Sequence, residues 1–284
     1  MFSQKFFDYL LLMRLDRPIG IWLLLWPTLW GLWFAAGGLP PLKILVVFVA
    51  GTVLMRSAGC VINDLADRNI DPHLERTRGR PIAAGRVTPD EARRLFVVLC
   101  LIALGFVSQL NVTTVLLSVP AVLLAASYPF AKRFHSLPQA HLGLAFSWGI
   151  PMAYAAIGRP VDWQTCLLLM LATVLWAIAY DTFYAMSDRE EDLRIGVKSS
   201  AILFGRHDRW ITALLQAGTV LALLAAGWER GPYFKYGLAL AAMLAGYQQW
   251  LIRDREPAAC SRAFSNNSTF GAVIFLGLLL DFMR

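Results

Sequence analysis

Two short stretches of this 284-residue chain gather carboxylates at helical spacing. The first reads Asn63-Asp64-Leu65-Ala66-Asp67-Arg68-Asn69-Ile70-Asp71, and the second runs from Asp181 through Tyr184, Ala185, Asp188 and Arg189 to Asp192. If the preceding helix continues through each stretch, Asn63, Asp67 and Asp71 share one face at steps of four. Asp181, Tyr184, Asp188 and Asp192 share another at steps of three, four and four. Carboxylates stacked in this way destabilise a helix by roughly 0.2–0.5 kcal/mol per pair, so the pattern asks for a cation. Hard oxygen donors with no His or Cys set beside them favour magnesium or a similar ion over zinc. Magnesium takes one or two protein carboxylates and leaves the rest of its octahedron to water and substrate phosphates, so two such sets suit two ions across a diphosphate. The plainer alternative is a solvated loop whose aspartates pair with Arg68, Arg189 and their neighbours in surface salt bridges of little worth. The motif Asp-Arg-x-x-Asp occurs in both stretches, each at the end of an apolar run, and this duplication weighs against that alternative.

Basic residues follow each cluster: Arg76-Thr77-Arg78-Gly79-Arg80-Pro81 after the first, and Arg194 to Lys198-Ser199-Ser200 after the second. A diphosphate carries several negative charges, and arginine and lysine suit the oxygens that metal ions leave unneutralised. Arg68, Arg76, Arg80 and Lys198, beside the clusters, are the candidates for that role. For the other basic residues, topology and contact with anionic lipid are sufficient explanation.

The elements that must position these residues are membrane helices. The chain is 57% hydrophobic and 16% charged, with mean hydropathy +0.55, too apolar for a soluble domain of this size. A spanning helix needs about 20 mostly apolar residues, because its amides must be satisfied within the segment. Nine stretches qualify, near 19–36, 42–62, 92–110, 112–130, 139–158, 163–182, 210–228, 233–252 and 268–283. The expected fold is therefore an all-α integral membrane bundle of about nine transmembrane helices, a single membrane-embedded domain over residues 1–284. Only two connections are long, 63–91 and 183–209, and each holds one acidic cluster. They read as two copies of one unit four spans apart, an internal repeat facing a shared cavity.

The net charge of +7 would raise nucleic acid as a partner in a soluble protein, but here the basic residues follow the loops. Most of them fall on one side; Lys43, Arg159, Arg230, Lys235 and Arg284 fall on the other, and Arg56 lies within a span. By the positive-inside rule the N-terminus and both Asp-rich loops face the cytoplasm. Residues 1–16 carry charges and lack the apolar core of a cleavable signal peptide. Cys60, Cys100, Cys166 and Cys260 lie far apart without metal-type spacing and read as packing residues. His73, His135, His141 and His207 form no cluster. Trp22, Trp26, Trp30 and Trp33 have helical spacing and read as packing or interface anchors.

With these residues in place, the sequence resembles the UbiA family of intramembrane prenyltransferases over almost its whole length. Asn63, Asp64, Asp67 and Asp71 match the family's first signature; Asp181, Tyr184, Ala185, Asp188 and Asp192 match the second. Met13-Arg14 through Gly20, Leu25 through Trp30, Tyr128 through Arg133 with Pro138-Gln139, Gly196 through Ser199, and Ala263-Phe264 with Asn266-Asn267 are similar to the 4-hydroxybenzoate branch. The resemblance implies a bundle around a central cavity, capped by the two loops and open sideways to lipid. It also implies Mg2+ as cofactor, polyprenyl diphosphate and 4-hydroxybenzoate as substrates, a place in ubiquinone biosynthesis, and a bacterial inner membrane location. A long prenyl tail gains about 0.8 kcal/mol for each methylene kept from water, so it stays in the bilayer while its head reaches the aspartates. In this reading Asp67, Asp71, Asp188 and Asp192 are the principal metal ligands, supported by Asn63, Asp64 and Asp181. Arg68 and Lys198 meet the diphosphate, Arg133 takes the aromatic carboxylate, and Tyr184 shields the allylic cation. Two alternatives stay open: another aromatic acceptor, such as a naphthoate or homogentisate, and an ion-coupled transporter built from repeated halves.

Overall fold

The computed structural model describes every residue except Met1, Leu74, His135, Val197 and Arg284, and leaves aside the side chains of Phe2, Ser3, Lys132, Arg133 and Ile195. Among the described residues there is no strand. The helices are α1 Phe2–Leu12, α2 Ile19–Ala36, α3 Leu42–Ala66, α4 Pro89–Val107, α5 Val112–Phe134, α6 Pro138–Ser147, α7 Gly149–Ile157 and α8 Trp163–Ser187. After these come α9 Arg189–Ile195, α10 Ser200–Phe204, α11 Asp208–Ala226, α12 Pro232–Leu251 and α13 Pro257–Phe282.

Among the described residues, seven segments are long and apolar enough to cross a bilayer: Ile19–Ala36, Leu42–Ala66, Val112–Ala131, Pro138–Ile157, Trp163–Ser187, Ser200–Ala226 and Pro257–Phe282. The expected all-helical membrane bundle is borne out, and the count of nine spans is met by seven on this measure. Helices α4 and α12 stand where the other two were expected. The start of α4 carries Asp90, Glu91, Arg93 and Arg94 under a Thr88–Glu91 capping box, and α12 is diluted by Lys235, Tyr247, Gln248 and Gln249.

Several boundaries differ from the hydropathy reading for physical reasons. Helices α3 and α8 run four or five residues further than expected, because the polar residues that end their apolar runs remain helical. Between α6 and α7 the helix breaks at Trp148, since Pro151 has no N–H to donate to the Ser147 carbonyl. At the chain's end, α13 starts eleven residues before the expected span. Its polar opening stays helical because partners satisfy it: Gln248 donates to Asn266 at 2.8 Å and Trp176 donates to Asn267 at 2.8 Å.

The repeat read from the sequence appears in the packing. Helix α4 lies along α3 and α11 lies along α8, so each Asp-rich loop joins two helices that pack together. Two of the α2 tryptophans are core, Trp30 packing on Trp176 at 5.3 Å between ring centroids and Trp33 meeting Phe275 edge-on at 4.9 Å, while Trp22 is exposed. Cys60, Cys166 and Cys260 are buried free thiols.

Helices α12 and α13 approach through glycines. A Cβ on Gly237 would stand 2.7 Å from the Val273 carbonyl oxygen, and one on Gly277 would stand 3.2 Å from the Gly237 Cα. Exchange of Gly277 for valine should force the pair apart at a cost of about 1–3 kcal/mol, read as a lower melting temperature of the detergent-solubilised protein. An unchanged melting temperature would mean the two helices can separate freely.

Candidate functional site

Each Asp-Arg-x-x-Asp begins where its helix ends. Asp67 (φ −90°, ψ 5°) caps α3, and Asp188 (φ −103°, ψ 2°) caps α8. Beyond each cap a single turn closes in the same way: the Asp71 amide donates to the Asp67 carbonyl at 2.9 Å, and the Asp192 amide donates to the Asp188 carbonyl at 2.9 Å. The expected unbroken helical stripe is therefore corrected to a helix end followed by a turn that both copies close with the same bond and that only the second extends, as α9. In the first copy Pro72 disfavours helical backbone at Asp71 and the turn stops in a short 3₁₀ segment; in the second, Gly196 in the left-handed region ends α9.

The two turns cap a cavity of about 1130 Å³. Asn63, Asp64, Arg76 and Arg80 line it from the first copy, and Asp181, Tyr184, Asp188, Asp192 and Lys198 line it from the second. Further from these polar groups the wall becomes apolar, with Phe48, Leu104, Val122 and Met152 among its residues.

Charge is densely paired at the polar end. Asp64, 2% exposed, takes Arg14 Nη2 at 3.1 Å and Arg80 Nη1 at 3.1 Å, while the same Arg80 nitrogen reaches Asp71 at 2.9 Å. Removing one partner of a buried pair of this kind costs on the order of 3 kcal/mol, because the other charge is left without compensation. The Thr77 hydroxyl donates to the Asp71 carbonyl at 2.8 Å and pins the following loop beneath the cluster. Arg76, from the first loop, pairs with the second cluster instead: its Nη2 lies 2.9 Å from Asp188, its Nη1 donates to the Tyr184 hydroxyl, and its guanidinium stands 5.4 Å from the Tyr184 ring centroid. The two copies thus close on each other through one arginine.

Among the residues expected at the site, Asp67 and Asp71 are buried next to the lining rather than in it, at 3% and 4% exposure. Arg68 is exposed and donates to the Leu65 carbonyl at 3.0 Å, so the structure does not bring it to the cavity. The Arg133 side chain lies outside the described residues. Three contributors were missed: Arg14, which reaches Asp64 from a turn where it adopts φ +58°; Gln139, which lines the cavity with Asp181; and Arg56. Arg56 had a visible signal, a lone charge inside an apolar span. Its Nη1 donates to Cys60 Sγ at 2.8 Å, and its guanidinium lies where a Cβ on Gly20 would fall, with Tyr128, Tyr180 and Asp181 close enough to act on its charge.

Among the described residues no three His, Cys, Asp or Glu side chains converge as a preformed metal site. Magnesium needs only one or two protein carboxylates, with phosphate oxygens completing the shell. The donor set facing the cavity is all oxygen, with Asn63 and Asp64 on one side and Asp188 and Asp192 on the other, and it fits that ion.

The chain belongs to the UbiA prenyltransferase family, whose model matches residues 24–277. It is 58% identical over 283 residues to the 4-hydroxybenzoate octaprenyltransferase of Nitrosococcus oceani, covering 99% of both chains, and 55% identical to that of Aeromonas salmonicida, covering 99% of this chain and 98% of the other. Among solved structures it is similar to a UbiA homolog from Aeropyrum pernix K1, with TM-score 0.81, 25% identity, and coverage of 92% of this chain and 97% of that one. A UbiA homolog from Archaeoglobus fulgidus bound to GPP and Mg2+ shares the fold, with TM-score 0.71, 19% identity and coverage of 94% and 99%.

Burial raises the Asp71 carboxyl above its ordinary range, against the pull of Arg80, and raises Asp188 against the pull of Arg76. A raised value keeps the proton on to a higher pH, while metal binding needs the ionised form. Divalent-ion affinity should therefore weaken as the pH is lowered from about 7 through the range in which these carboxyls take up protons, measured by Mn2+ titration followed by electron paramagnetic resonance. A flat profile over that range would exclude both carboxylates from the metal site.

Proposed function

We propose that this protein transfers a polyprenyl group from polyprenyl diphosphate to carbon 3 of 4-hydroxybenzoate with release of diphosphate, supplying a ubiquinone precursor. The observation that carries this reading is one cavity with two facing acidic turns at one end and an apolar wall at the other. Whole-length likeness to two 4-hydroxybenzoate octaprenyltransferases supports it. The Mg2+ and GPP bound by the Archaeoglobus homolog support the choice of ion and donor.

The diphosphate head is received between Asn63, Asp64, Asp67 and Asp71 on one side and Asp188 and Asp192 on the other, the groups that would hold the ions. A magnesium ion held by these groups would supply positive charge to offset the negative charge growing on the departing diphosphate. Arg76, Arg80 and Lys198 add charge-assisted hydrogen bonds to its oxygens. As the carbon–oxygen bond breaks, the allylic cation lies beside Tyr184 and Phe264, two rings that pack on each other at 5.1 Å between centroids and both line the cavity. The ring carbon beside the phenol oxygen bonds to the allylic carbon, and loss of its proton restores aromaticity. The apolar wall keeps water from capturing the cation first.

The carboxylate of the aromatic acid needs a cation within the chamber. Arg56 supplies one among the described residues, from the middle of α3, with Tyr128 and Tyr180 beside it. Its planar fork matches a carboxylate. The Asp-rich loops face the cytoplasm in this reading, in keeping with the basic residues around them.

The test is incubation of the purified protein in lipid with Mg2+, a set of prenyl diphosphates and several phenolic acids, with products identified by mass. Prenylated 4-hydroxybenzoate should dominate and vanish on removal of divalent ions, and joint Asp67→Asn and Asp188→Asn exchange should lower turnover by more than about 100-fold. Full activity without divalent ions, or in that double variant, would end the proposal, and solute uptake without diphosphate release would favour a transporter. Arg56→Ala should raise KM for the aromatic acid by about tenfold or more while leaving KM for the donor nearly unchanged. Equal effects on both substrates would remove Arg56 from the acceptor pocket.

A further inference from the structure

Outside the cavity, at the same end of the bundle, three chain segments meet on one carboxylate. Asp208, the first residue of α11, is fully buried. Its Oδ1 accepts from Arg255 Nη2 at 2.7 Å and from the Arg209 amide at 2.7 Å; its Oδ2 accepts from Arg255 Nε at 3.0 Å and from Arg189 Nη1 at 3.1 Å. Arg255 reaches it from the turn between α12 and α13 with φ +55°, a left-handed conformation that a side chain other than glycine's rarely takes. It also donates from Nη2 to the Arg206 carbonyl at 3.0 Å. Strain of this kind persists where surrounding contacts fix the residue, and here they fix it on Asp208.

Arg189 gives this cluster its bearing on the reaction, because it directly follows Asp188 and opens α9, the helix that carries Asp192. With its guanidinium held by Asp208, the pitch of the turn between the two cavity-lining aspartates is fixed from behind. Among the described residues the first copy has no such brace. Its matching arginine, Arg68, donates to the Leu65 carbonyl, and the carboxylate at the start of α4, Asp90, is exposed and pairs with Arg93. The repeat has therefore diverged where the second turn is anchored.

We infer that Asp208 is a positioning residue for the second acidic turn, acting through Arg189 to hold Asp188 and Asp192 in the arrangement that receives a divalent ion with its diphosphate. This rests on the reading of those two aspartates as metal ligands. Groups that hold and orient ligating carboxylates tune affinity without touching the metal. A merely structural ion pair would instead change stability and leave affinity alone.

The two roles separate in full-length protein in lipid nanodiscs, with Mn2+ binding followed by electron paramagnetic resonance in the presence of inorganic pyrophosphate and the melting temperature recorded beside it. Arg189→Ala leaves the Asp208–Arg255 pair in place and should weaken Mn2+ binding by about tenfold at a nearly unchanged melting temperature. Arg189→Lys should recover part of that loss. Asp208→Asn should show the same loss, and the double variant Asp208→Asn with Arg189→Ala should be no worse than the poorer single one. Wild-type affinity in Arg189→Ala, or a loss that only tracks the melting temperature, would overturn the positioning role. If the wild-type protein itself bound no Mn2+, both this role and the proposed metal site would fall.

Discussion

Placing many charges at one end of a low-dielectric helical bundle is costly, and the structure meets that cost by pairing several of the buried carboxylates there with arginines. A lone buried charge costs several kcal/mol, whereas a well hydrogen-bonded pair costs far less. Asp64 shared by Arg14 and Arg80, Asp188 met by Arg76, and Asp208 held by Arg189 and Arg255 are three instances of one solution. Because the partners come from different segments, each pair also ties a loop to a helix. The same constraint explains why α3 and α8 carry polar residues in their last turns and stay helical.

The two repeats are alike in backbone and unlike in side-chain support. Both helices end on an aspartate near ψ 0° and both close one turn to the next aspartate. The first turn is fixed from the front, by Arg80 and Thr77 of its own loop. The second is fixed from behind, by Asp208 through Arg189. Arg76 then crosses between them. A head group with two phosphates is itself nearly symmetric, while the donor tail and the acceptor must lie on different sides of it. Two turns of equal geometry with unequal surroundings suit such a ligand.

Away from the charges, packing sets the shape of the chamber. Trp30 and Trp176 fill the core between α2 and α8, and glycines let α12 lie against α13. This half of the bundle is closed and aromatic. The apolar arm of the cavity is walled by α3, α4, α5 and α7, where several lining residues, Leu101 and Leu123 among them, also face outward.

Much of this was legible in the chain alone. Apolar runs of about 20 residues fix the membrane class, because an amide in hydrocarbon has no partner outside its own helix. The repeated Asp-Arg-x-x-Asp marks the two sides of the cavity's polar end, because its local spacing survives whatever the fold does. Local spacing could not say where the helices stop, so the unbroken stripe gave way to a cap and a turn at Asp67 and Asp188. Nor could it say which arginine meets which carboxylate: Arg68 looked as well placed as Arg80 yet turns away, and Arg14, some fifty residues upstream, reaches Asp64. Such pairings depend on contacts between residues far apart in sequence, and only the packed bundle brings them within hydrogen-bond distance.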